Sequence, residues 1–70
     1  MKRFFKIKLR LVYSQAELWI AIKASSMGEA VVIADNRTMG TPFEICDNSV
    51  IEISLLEYNR MLSKVVLHNT

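Results

Sequence analysis

One cysteine, one histidine, one proline and two glycines are all that this 70-residue chain contains of those residue types, and each scarcity closes off an explanation. Cys46 has no intrachain disulfide partner, as in a reducing compartment. A structural zinc site needs about four His, Cys or carboxylate ligands brought together; Cys46 and His68 do not make one, so no metal is expected. Nucleophilic catalysis needs Cys46 or a serine beside a base, and His68 lies third from the end of the chain, where chains fray. Cys46 therefore reads as a small buried hydrophobe on a strand. The acidic residues are scattered singly, and neither GxxxxGK[ST] nor GxGxxG occurs. No catalysis and no cofactor are expected. No apolar run approaches the roughly 18 residues of a membrane span. Met1-Lys2-Arg3-Phe4-Phe5-Lys6 imitates the charged start of a signal peptide, but Lys6, Lys8 and Arg10 interrupt any apolar stretch behind it. The expectation is a cytoplasmic protein without a membrane partner.

What the chain does have is core material. Its composition is 51% hydrophobic, enough for one domain over residues 1–70, near the lower size limit for folding unaided. Residues 4–12 alternate: Phe5, Ile7, Leu9 and Leu11 point one way, and Phe4, Lys6, Lys8 and Arg10 the other. Period two over this length is a half-buried strand. Residues 17–24 repeat it, with Leu18, Ile20, Ile22 and Ala24 inward and Glu17, Trp19, Ala21 and Lys23 outward. Ser14-Gln15-Ala16 makes the pair an antiparallel hairpin of open turn type. Ser26-Met27-Gly28-Glu29 has the form of a capping box, in which Glu29 reaches back to the N–H of Ser26. The helix it starts, ending by Gly40, shows Met27, Ala30, Val31, Ile33 and Ala34 on one face. Phe43–Cys46 and Val50–Ile53 read as short strands around a turn at Asp47-Asn48-Ser49. Ser54-Leu55-Leu56-Glu57 is a second capping box. Behind it Leu55, Tyr58, Met61, Leu62, Val65 and Val66 form the stripe of an amphipathic helix, although Val65-Val66-Leu67 also suits a strand. The fold class is α+β, order β-β-α-β-β-α, with two helices packed on one face of an antiparallel sheet. The other face is then open to solvent or to a partner.

Charge is unevenly placed along this pattern. Lys2, Arg3, Lys6, Lys8 and Arg10 lie in the first 13 residues with no acid among them, whereas the rest carries four bases against all seven acids. A basic arm on an acidic body points to an anionic partner surface, or to an edge strand kept charged against aggregation. Cations interleaved with Phe4 and Trp19 suit either base stacking with phosphate neutralisation or a protein interface anchored by an aromatic. The candidate partner-binding residues are Lys6, Lys8, Arg10, Trp19 and Lys23, with Leu56 and Leu67 as a possible secondary interface for a weak homodimer.

The segment Ile22-Lys23-Ala24-Ser25-Ser26-Met27-Gly28-Glu29-Ala30-Val31-Val32-Ile33-Ala34, followed by Gly40-Thr41 before a strand, resembles small phage-encoded inhibitors. It is most like a small type I-F anti-CRISPR protein, and it also looks like the hairpin–helix–strand inhibitor that phages direct at host RNA polymerase. The likeness covers residues 17–46. It implies a viral protein that evades host defence by binding a ribonucleoprotein complex and blocking its access to target DNA. Lys6, Lys8 and Arg10 lie outside the matched segment, and the helix after Ser54 departs from both families. The competing expectation is a protein that binds nucleic acid directly through the basic, aromatic sheet face.

Overall fold

The computed structural model describes residues 2–46 and 48–68, and of residues 64–68 the backbone alone. Strand β1 (Arg3–Leu11) is central. It pairs antiparallel with β2 (Glu17–Ala24) over eight positions, from Arg3 opposite Ala24 to Arg10 opposite Glu17. Leu11 N–H donates to the Ala16 carbonyl at 3.0 Å and Ser14 N–H to the Leu11 carbonyl at 3.1 Å, so the turn is a five-residue loop whose Tyr13 is 85% exposed.

The other edge of β1 carries β3 (Phe43–Ile45) and β4 (Ile51–Ile53), both antiparallel to it. Leu9 faces Ile45 and Lys6 faces Ile51, so six steps along one side span three along the other. β3 and β4 are thus a single edge strand interrupted by an outward loop. Asn48 takes a left-handed φ of 61° there, a conformation asparagine tolerates better than most residues. Ser49 fills the gap in the ladder. Its Oγ accepts from Lys8 N–H at 3.1 Å and lies 2.6 Å from the Cys46 carbonyl, while Cys46 N–H donates to the Lys8 carbonyl at 2.9 Å. Cys46 is half-buried and ends the ladder rather than continuing β3.

Helix α1 (Met27–Thr38) opens where the first capping box places it. Ser26 Oγ accepts from Glu29 N–H at 3.1 Å. The carboxylate of Glu29 does not return to the Ser26 N–H: it accepts from the N–H and hydroxyl of Ser25, one residue earlier. Those bonds, the backbone one first, hold Glu29 below the usual glutamate pKa. Gly40, at φ 78°, takes the chain out of the helix. Of the expected apolar face only Ala30 and Ala34 are fully buried, with Ile33 partly so, while Met27 and Val31 stay exposed at its margin. Two alanines let the helix lie close on Phe5, Ile7, Leu9, Ile22 and Ala24, which complete the core.

Helix α2 (Leu55–His68) corrects the one-faced arrangement. Its Tyr58 ring packs tilted against Phe4, the centroids 4.8 Å apart, and Glu57 accepts from Lys6 Nζ at 2.9 Å. Phe4 and Lys6 point away from the Phe5/Ile7/Leu9 core, so α1 and α2 lie on opposite faces of the sheet. Ser54 Oγ caps Glu57 N–H, but the Glu57 carboxylate is drawn off to Lys6 and the second capping box is only half formed. Residues 64–67 continue as helix, not strand. Leu55, expected inward, is more than half exposed.

Candidate interaction face

The outward row of the hairpin forms as its alternation predicts. Lys8 stands opposite Trp19, Lys6 opposite Ala21, Phe4 opposite Lys23 and Arg10 opposite Glu17. Trp19 is 41% exposed, and its ring lies beneath two ammonium groups: Lys6 Nζ is 5.0 Å and Lys8 Nζ 5.7 Å from the ring centroid. Both distances are in cation–π range. The sheet brings together Lys6, Lys8, Arg10 and Trp19, whereas Phe4 is withdrawn under Tyr58. Lys23 lies on the same face with no ion-pair partner among the described residues. Leu56 is 62% exposed on α2; the side chain of Leu67 lies outside the described residues, as does that of His68.

The basic arm is not a free cationic surface. Lys2 reaches Glu29 at 3.9 Å, Arg3 reaches Glu52 at 2.6 Å, Lys6 reaches Glu57 at 2.9 Å, Lys8 reaches Glu17 at 3.8 Å, and Arg10 pairs with Glu44. Each acid comes from a different element: α1, β4, α2, β2 and β3. The hydrogen bonds from Arg3 hold Glu52 below the usual carboxylate range, and Glu44 raises Arg10. Sequence reasoning found the cations but missed these carboxylates, because four of the five lie far along the chain. Only Glu17, across the hairpin, carried a local signal.

A half-exposed indole flanked by ammonium groups and rimmed by carboxylates offers apolar area with both signs of charge. Among the described residues no group of three or more His, Cys, Asp or Glu is placed to hold a metal, and no helix is long and apolar enough to cross a membrane. Comparison with protein-family models, curated proteins and solved structures gives no significant match.

Proposed function

We propose that this chain is a small non-catalytic binding protein whose Trp19 face docks on a protein partner, acting as an inhibitor of a nucleic-acid-handling complex. The observation that carries the reading is the Trp19 ring, half exposed and held under Lys6 and Lys8. An exposed aromatic that becomes buried on docking is the kind of anchor that dominates protein interfaces. The paired carboxylates favour a protein partner over a bare phosphate backbone. A phosphate approaching Lys8 or Arg10 meets Glu17 or Glu44, while a protein of mixed charge can pair with both signs. The likeness of residues 17–46 to a type I-F anti-CRISPR protein supplies the first target to try: a CRISPR surveillance complex whose DNA access the chain blocks. Host RNA polymerase is the second.

The test is binding of the purified chain to the purified surveillance complex, without target DNA and then with it pre-bound. Binding that needs no nucleic acid, is blocked by bound DNA and weakens about 30-fold or more in Trp19→Ala supports the reading. No binding to the surveillance complex, with Trp19-dependent binding to RNA polymerase, moves the target and keeps the mechanism. Tight binding to DNA alone that falls steeply with salt overturns it in favour of direct nucleic-acid recognition.

A further inference from the structure

The free edge of β2 carries an inference independent of what the Trp19 face binds. Lys8 turns its N–H and C=O toward Ser49 and Cys46, away from β2. Trp19, opposite Lys8, therefore sits at a position that makes no ladder bond to β1, and its backbone N–H and C=O point off the edge of the sheet. Alternation gives the same direction to Glu17, Ala21 and Lys23. Ala21 bears this out, because its carbonyl is met at the edge by the Arg37 guanidinium at 3.3 Å.

We propose that a second copy of this chain pairs with that edge, β2 to β2, antiparallel about a two-fold axis through Ile20. This register sets Glu17 opposite Lys23 of the second copy, Trp19 opposite Ala21, Leu18 opposite Ile22 and Ile20 opposite itself. Opposite charges then face each other twice, and the large indole lies against the smallest side chain of the row. Half-exposed Leu18 and Ile20 gain an apolar neighbour on the opposite face. Shifting the register by two residues either way puts Trp19 against Trp19 or against Lys23 and separates Glu17 from Lys23, and the first of these shifts also shortens the overlap. Lys23, unpaired among the described residues, finds its carboxylate only in the chosen register. An edge of this length whose ladder groups are unpaired apart from the Ala21 carbonyl is a template for strand addition, and the symmetric use of one patch is the usual geometry of a homodimer. Arg37 opposes the pairing, since it must leave the Ala21 carbonyl before Trp19 N–H of the second copy can take its place. Joining two copies in this way sets both Trp19 faces on one side of a continuous sheet.

Sedimentation equilibrium of the full chain over a range of concentrations tests this. The expected result is a dimer with a dissociation constant of roughly 10–100 μM, about tenfold tighter in Arg37→Ala. Glu17→Lys and Lys23→Glu should each weaken it by about tenfold, since like charges then oppose one another at two symmetric positions. The double variant Glu17→Lys/Lys23→Glu should return to within about threefold of the original, because opposite charges again meet. Circular dichroism on each variant confirms the fold. A chain that stays monomeric up to about 1 mM, a concentration at which even weak specific pairing shows, overturns the proposal. Weakening by both single variants without recovery in the double variant overturns it too, because the register is then wrong.

Discussion

At the scale of single residues, a side chain's neighbours decide its behaviour more than its type does. Glu29 and Glu52 are ordinary exposed carboxylates by sequence, yet each is held by donors: Glu29 by the Ser25 N–H and hydroxyl, Glu52 by the Arg3 guanidinium. Both therefore have a lower pKa in the folded protein than in the unfolded chain. The unfolded state then binds more protons as the solution is acidified. The contribution is fully present above the ordinary glutamate pKa of about 4.3 and is lost as pH falls through the lower folded values. Tm is expected to hold level from neutral pH to about 5 and to fall below about 4.3. Glu29→Gln/Glu52→Gln should start from a lower Tm at pH 7 and lose less of it in acid. Parallel acid slopes for the two proteins, followed by circular dichroism, would count against these bonds as the cause.

At the scale of elements, what could be read from the chain was whatever short-range periodicity determines. The hairpin register, the two serine caps and the end of α1 at Gly40 all follow from neighbours within about five residues. Alternation in β1 also separates its two faces correctly, but says nothing about which helix takes which face. Phe4 could as well have been an exposed aromatic, and only the return of Tyr58 from α2 covers it. The merging of β3 and β4 into one interrupted strand was hidden for the same reason, because it depends on a register set by residues some 40 positions away. Ser49 is the device that makes the interruption tolerable, a buried hydroxyl standing in for missing ladder groups. Ser49→Ala leaves the Lys8 N–H without its acceptor and strips the Cys46 carbonyl of its short hydroxyl bond, leaving it the Ser49 N–H at 3.3 Å. A cost of about 1–3 kcal/mol is expected for buried groups left unpaired. Urea denaturation measures it, and Ser49→Thr, which keeps the hydroxyl, should recover part of the loss. An unchanged midpoint in Ser49→Ala would mean that water replaces the hydroxyl at no cost.

At the scale of the whole molecule, folding removes the charge asymmetry that dominates the sequence. Five cations on or beside the central strand draw one glutamate from each of the five other elements. In a chain of 70 residues with a core of mostly small and medium side chains, such pairs help to specify which element lies where, even though exposed pairs add little stability one by one. Reversing Lys6, Lys8 and Arg10 to Glu therefore does more than remove a basic row. Each new carboxylate faces an existing one, on Glu57, Glu17 and Glu44. The triple variant is expected to lose roughly 5–10 °C of Tm, more than three independent surface changes would cause. Raising the salt to about 1 M, where the screening length is near 3 Å, should recover much of that deficit. Adding Glu17→Lys, Glu44→Lys and Glu57→Lys to the triple variant should recover it at low salt, because every pair is then restored with its signs exchanged. A triple variant that melts with the original protein would mean that the pairs contribute nothing and that the row is free to serve a partner. Loss of stability with rescue by the exchanged glutamates would mean that the row organises the fold, leaving Trp19 as the residue through which to probe binding.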